Sequence, residues 1–148
     1  MSVLESKYLL LQINNFIKKM DELYKNLATH YNLTDSALWI IYTIRLSEKA
    51  LTQKELSSML CMSKQTINSS LKKMIDSGLI TLTSKQTNKK NKVIGLSKKG
   101  IDLAKNTADI IINAELETIE TLSREKIMEF ITLFNEYKEE TKQQFSKL

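Results

Sequence analysis

Residues 51–100 read LTQKELSSMLCMSKQTINSSLKKMIDSGLITLTSKQTNKKNKVIGLSKKG, and the punctuation of this stretch decides the fold. Thr52 stands three residues before Glu55, the spacing at which side chain and backbone cap each other at a helix start, and Leu51 and Leu56 are placed to clasp the same turn. That helix is short and ends near Leu60. Ser63 caps the next one, in which Ile67, Leu71, Met74 and Ile75 recur at i, i+4, i+7 and i+8 and predict a single buried face. Gly78 is placed to end it in a left-handed conformation. Two β-type runs follow, at 79–83 and 93–96, and no other segment competes with them as strand. Between them lie Lys85, Lys89, Lys90 and Lys92 with Asn88 and Asn91 and no apolar residue. Two short helices followed by a basic hairpin are a helix-turn-helix with a β-wing, an arrangement suited to duplex DNA.

Charge follows the same boundary. The chain has 22 Lys+Arg against 17 Asp+Glu, a formal net charge of +5. Residues 49–100 hold eleven lysines against Glu55 and Asp76, which makes that third +9 and leaves −4 for the rest. A phosphate backbone rewards such a concentration, because each neutralised phosphate releases condensed counterions. On the second short helix the predicted outward face carries Gln65, Ser69, Lys72 and Lys73, with Thr66 and Asn68 on its shoulders. Amides bond adenine bidentately and lysine reaches guanine or phosphate. The expected base-reading residues are therefore Gln65, Thr66, Asn68 and Ser69. Lys64, Lys72, Lys73, Lys89 and Lys90 are expected on phosphates, with Thr52, Gln53 and Ser63 adding contacts at helix N-termini.

The remainder is helical in pattern. There is no proline, and the three glycines stand at 78, 95 and 100. A first helix over about 5–29 carries an apolar stripe at Leu9, Ile13, Phe16, Ile17, Met20, Leu23, Tyr24 and Leu27. Thr34 is placed to cap a second, over about 35–47, whose apolar run 37–42 marks it as buried on most sides. After the wing, Ser97 is expected to cap one long helix through Ile101, Leu103, Ala104, Ala108, Ile111, Ile112, Leu116 and Ile119. Ser123 is expected to start a last helix carrying Ile127, Phe130, Ile131, Phe134 and Tyr137. The fold expected is mainly α with a small β-wing. A winged helix-turn-helix lobe at 34–100 lies between long N-terminal (1–33) and C-terminal (101–148) dimerisation helices. Helices of that length cannot all bury their stripes on a small lobe, so dimerisation is the economical solution, and it sets two recognition helices about 34–36 Å apart.

In order along the chain, the capped helix at Thr52 to Glu55, the run Leu60-Cys61-Met62-Ser63-Lys64-Gln65-Thr66-Ile67, the stop Gly78-Leu79-Ile80 and the close Leu96-Ser97-Lys98-Lys99-Gly100 resemble the MarR family of bacterial transcriptional regulators. The resemblance covers nearly the whole chain, in motif over the core and in length and pattern over the flanks. It implies a homodimer whose first and last helices interlock, a pseudo-palindromic double-stranded DNA operator, and a repressor released by a small aromatic effector. It departs at the wing, where that family commonly carries an acidic residue and, two positions on, an arginine. Asn88 and Lys90 stand there. Lysine keeps the charge without the planar fork, and a more mobile wing with weaker groove reading is expected.

For the effector, the resemblance implies a cleft between the dimer helices and the lobe, and Tyr24, His30, Trp39, Tyr42 and Arg45 are the candidates to line it. The alternative for the aromatic residues is ordinary core packing. Cys61, the single cysteine, lies just before a helix N-terminus and beside Lys64. Both features lower a thiol pKa, so a redox-responsive regulator is an alternative reading, set against a buried inert thiol. One His and one Cys give no metal site. No cofactor motif, glycine-rich phosphate loop or Gly-x-Ser-x-Gly turn is present, so an enzyme is not expected. A winged helix serving as a protein–protein module is the remaining alternative, though the face is basic and polar. No apolar run approaches the ~18 residues of a membrane span and the N-terminus lacks a signal-peptide pattern. Those features predict a cytoplasmic protein without membrane partners.

Overall fold

The computed structural model describes residues 2–85 and 88–148, with side chains for all of these except 84, 85 and 88–91. It divides into two compact units, 1–109 and 110–148. The first holds α1 (Val3–His30), α2 (Asp35–Leu46), β1 (Leu51–Thr52), α3 (Gln53–Met59), α4 (Lys64–Asp76), β2 (Ile80–Lys85), β3 (Asn88–Leu96) and α5 (Lys98–Lys105). α6 (Ala108–Leu122) starts in the first unit and continues into the second, which ends with α7 (Arg124–Phe145).

The helix starts follow the sequence. Thr34 Oγ1 accepts from Ala37 N, Ser63 Oγ from Thr66 N and Ser97 Oγ from Gly100 N. At Thr52 the capping box is complete, with Thr52 N donating to Glu55 Oε2 at 2.7 Å and Glu55 N donating back to Thr52 Oγ1. A buried helix end without such partners would leave backbone N–H groups unpaired.

Three helix ends share one device. α1, α3 and α4 each close with the paired 6→1 and 5→2 backbone bonds of a Schellman turn: Leu33 N to Ala28 O with Asn32 N to Thr29 O, Met62 N to Ser57 O with Cys61 N to Ser58 O, and Leu79 N to Met74 O with Gly78 N to Ile75 O. The residue that enters the left-handed region is Asn32 (φ 55), Cys61 (φ 51) and Gly78 (φ 71) respectively. Glycine and asparagine tolerate that conformation, whereas a cysteine is strained by its Cβ.

The lobe closes around Ile40, Ile41, Leu51, Leu56, Ile67, Leu71, Met74, Ile80, Ile94, Ala104 and Ala108. Leu56 and Ile67 are fully inaccessible, and each such side chain contributes about 1.5–3 kcal/mol through burial. The wing is an antiparallel sheet in the order β1-β3-β2, with Ile80 opposite Leu96, Leu82 opposite Ile94 and an irregularity between Ser84 and Lys85. At its base Ser97 N donates to Leu79 O and Ser97 Oγ to Gly78 O. Gly100 lies so close there that a Cβ would sit 2.0 Å from Leu79 O.

Several expectations are corrected. Leu51 and Thr52 form a third strand, pairing with Ile94 and Val93; two residues are too few to leave an alternating pattern. Ile75 is 36% exposed and lies at the margin of the α4 stripe, while Ser70 is buried in it. The single long helix after Ser97 is broken at Asn106 and Thr107. There Asn106 Nδ2 donates to Asp102 O and Thr107 Oγ1 to Leu103 O, and their backbone N–H groups turn to Leu103 O and Ala104 O. Short polar side chains that bond nearby carbonyls compete with the helical ladder.

Replacing Cys61 by Gly relieves the left-handed strain and is expected to raise stability by about 0.5–1 kcal/mol, while Gly78→Ala lowers it by about 1 kcal/mol. Gly100→Ala forces the base of the wing apart, at a cost of about 3 kcal/mol. Urea melts of the three variants check both statements.

Candidate nucleic-acid interface

Burial of Ile67, Leu71 and Met74 turns the opposite side of α4 outward. Lys64, Gln65, Thr66, Asn68, Ser69, Lys72 and Lys73 are all exposed, and no acidic residue lies in the first turn. The helix N-terminus, with its positive dipole end, adds to the field of the lysines.

The predicted residues divide by what they already hold. Ser63 and Thr66 share a hydroxyl–hydroxyl bond of 2.9 Å at the cap. Thr52 is committed to Glu55 through backbone and side chain alike, its Oγ1 donating to Glu55 Oε2 at 2.7 Å. Gln53, the first residue of α3, donates from Nε2 to Asn68 Oδ1 across the two helices. Lys89 and Lys90 are in β3 by backbone, and their side chains, like that of Asn88, lie outside those described. Sequence reading missed Ser36 and Ser70, whose hydroxyls bond at 2.7 Å and tie the start of α2 to the inner face of α4. The available signal was a serine three residues after Ile67, on the apolar side of the helix.

Of the candidate effector residues, three come together. Tyr24 and Trp39 ring centroids lie 4.6 Å apart, tilted by 41°, and Trp39 meets Tyr42 edge-on at 5.3 Å. His30 is exposed at the end of α1 and packs edge-on against Tyr31 at 4.9 Å. Arg45 is engaged bidentately by Asp109, Nε and Nη2 each donating over 2.7 Å. Those bonds hold its guanidinium even further above its ordinary pKa. Cys61 is exposed, with Sγ 3.7 Å from Ser58 O. Among the described residues no group of three or more His, Cys, Asp or Glu is placed to hold a metal, and no helix is long and apolar enough to cross a membrane.

Residues 31–90, which contain α2, the helix-turn-helix and the first part of the wing, match the family model described as MarR family. Over those residues the winged helix is similar to that family's. No curated protein matches the chain. Among solved structures it resembles a MarR family regulator from Neisseria meningitidis at 16% identity and TM-score 0.79, covering 94% of this chain and 97% of that one. Staphylococcus aureus MarR in complex with salicylate and kanamycin aligns at 19% identity and TM-score 0.68, with 95% of each chain covered. A mutant of Staphylococcus aureus MepR bound to oligodeoxyribonucleotide aligns at 18% identity and TM-score 0.55, covering 92% and 97%. At these identities the likeness is one of fold, and the fold is that of the MarR family transcriptional regulators.

The Arg45–Asp109 fork pins the end of α2 to the first turn of α6. With the Arg45 side chain 35% exposed, Asp109→Asn is expected to lower stability by only about 1 kcal/mol. A melt of the variant at pH 7 reads the loss, and an unchanged midpoint would show the pair to be energetically neutral.

Proposed function

We propose that the protein is a homodimeric, sequence-specific double-stranded DNA-binding transcriptional regulator, a repressor that a small aromatic ligand releases. One observation carries this reading: the acid-poor outward face of α4, with Gln65, Asn68, Ser69, Lys72 and Lys73 exposed on a rigidly cored winged helix. Gln65, Thr66, Asn68 and Ser69 meet base edges in the major groove. Lys64, Lys72, Lys73 and the wing residues Lys89 and Lys90 neutralise phosphates, and Thr52, Gln53 and Ser63 add contacts at the helix starts. The oligodeoxyribonucleotide in the MepR structure supports the partner, and salicylate in the staphylococcal MarR structure supports the class of ligand. For this chain the Tyr24–Trp39–Tyr42 cluster is where an aromatic effector is expected.

Dimerisation is argued from the flanking helices. α1 leaves Leu4, Tyr8, Leu11, Phe16, Ile17, Met20 and Leu23 exposed, and α7, which buries no residue, leaves Met128, Phe130, Ile131, Phe134 and Tyr137 exposed. Apolar rows of this length are covered in a stable soluble state, and a two-fold pairing of residues 1–33 and 101–148 covers them around a lobe of 34–100. Two recognition helices then face half-sites about 34–36 Å apart.

Titration against duplex from upstream of its own coding sequence, beside random duplex and across a salt series, tests the reading. Preference for the upstream duplex, with affinity falling steeply as salt rises, is expected. Gln65→Ala relaxes preference at one base pair, whereas Lys73→Ala weakens all sequences alike and lowers the salt slope by about 1. Absence of binding by folded, dimeric protein would turn the reading towards a protein–protein interaction module.

A further inference from the structure

Asp35, Trp39 and Tyr42 follow one another along α2 at spacings of four and three residues, which puts them within about 60° of each other on one face of the helix. Ser36 and Ile40 lie on the adjoining face, where Ser36 meets Ser70 of α4 and Ile40 joins the core. Long helical side chains lean back over the preceding turn. Tyr42 meets Trp39 in that way at 5.3 Å, and the same lean carries Trp39 towards Asp35. Tyr24 of α1 stands across from them, 4.6 Å from Trp39. All three rings are only half-buried, so part of each reaches solvent.

The two ends of this strip differ in charge. At the C-terminal end of α2 the Arg45 guanidinium is already taken, held bidentately by Asp109. At the N-terminal end, Asp35 Oδ1 is buried and is the one buried side-chain nitrogen or oxygen, among the described residues, that has no hydrogen-bond partner. Lys25, next to Tyr24 on α1, does not supply the donor, since its Nζ bonds Asp21 Oδ2 at 2.7 Å. The Lys25 pKa is raised first by that bond and the Asp21 charge, and Asp35 adds a smaller increment, which places the Asp35 carboxylate near α1 as well. Two carboxylates and one ammonium leave one negative charge beside the rings. A buried carboxylate oxygen without a donor is costly, and a ligand N–H would remove that cost. The same charge repels an aromatic carboxylate.

We infer that the cluster takes a cationic aromatic amine, its N–H donors on Asp35 Oδ1 and its ring against Trp39 and the two tyrosines. This deepens the aromatic-ligand reading of the cluster and rests on it, adding the sign of the charge. A two-carbon link between ring and amine spans about the 5.4 Å of one helical turn, the step from Trp39 back to Asp35. Packing of an ammonium close to the indole adds cation–π attraction.

Trp39 is the single tryptophan of the chain, so its emission reports directly from the site. The full-length protein is titrated with phenethylamine, protonated at neutral pH, and with hydrocinnamate, which has the same ring and link but a carboxylate; neither absorbs where tryptophan is excited. A saturable change is expected for the amine, with the carboxylate weaker by about tenfold or more. This matched pair decides the sign of the charge on the unsubstituted protein, without any variant. Asp35→Asn and Asp35→Ala, each first shown folded by its thermal melt, are expected to weaken the amine by about tenfold and leave the carboxylate no weaker than before. Asp76→Asn removes the same charge from the end of α4 and is expected to change neither titration. If the carboxylate binds as tightly as the amine, if the Asp35 variants leave amine binding intact, or if Asp76→Asn weakens it as much as they do, the inference is overturned while an aromatic ligand stands. If neither compound changes the emission, the inference and the aromatic-ligand reading fall together. No DNA enters the titration, so either failure is distinct from a failure of the DNA-reading function.

Discussion

The apolar stripe of α4 is the constraint on which the rest of the lobe depends. Ile67, Leu71 and Met74 share one core with Ile40 and Ile41 of α2, Leu56 of α3 and Ile94 of β3. Once that stripe is buried, the rotation of α4 about its axis is no longer adjustable, because a helix advances by about 100° per residue and has no second apolar face to offer. Every polar residue at the remaining positions is consequently turned outward together. Ser70 is the exception that tightens the rule, since its buried hydroxyl is matched by Ser36 at 2.7 Å rather than left unpaired. An unmatched hydroxyl there would oppose the same rotation that the stripe enforces.

Orientation between the two short helices has a separate origin. The turn joining them is a Schellman closure with Cys61 in the left-handed region, and it is followed at once by the Ser63 cap. Caps and turn use hydroxyls that would otherwise be available to a partner. Thr52, Ser63 and Thr66 hold intramolecular bonds, whereas Gln65, Ser69, Lys72 and Lys73 stand outward on the same exposed face. This side of the lobe thus has a committed part, which sets geometry, and an outward part, where charge and amides accumulate. Gln53 and Asn68 bridge the two.

Much of this was legible in residue order. The Thr52–Glu55 box, the Ser63 cap, the Gly78 stop and the serine and glycine that close the wing are short-range signals, and each appears where its spacing placed it. Local signals fail where a competing local bond or a distant strand decides. Asn106 and Thr107 look helical by their apolar neighbours, yet their side chains take the carbonyls of Asp102 and Leu103 and end α5. Leu51 and Thr52 read as a cap and staple and are also an edge strand on β3, forty residues away. The effector candidates Tyr24, His30, Trp39, Tyr42 and Arg45 were chosen for a cleft that the family resemblance implies, and of that group Tyr24, Trp39 and Tyr42 meet one another.

By itself the sequence determined most of the element types, the buried face of α4 and the concentration of lysine between residues 49 and 100, because periodicity, capping and charge act within a few residues of their source. Tertiary structure alone decided the pairings across the chain: Arg45 with Asp109, Ser36 with Ser70, Gln53 with Asn68. A hydrogen bond between residues far apart in sequence leaves no periodic trace, since its two partners are ordinary polar residues until folding brings them within 3 Å or so of each other. Which of the exposed polar groups are oriented, and which merely face outward, is therefore a property of the packed lobe.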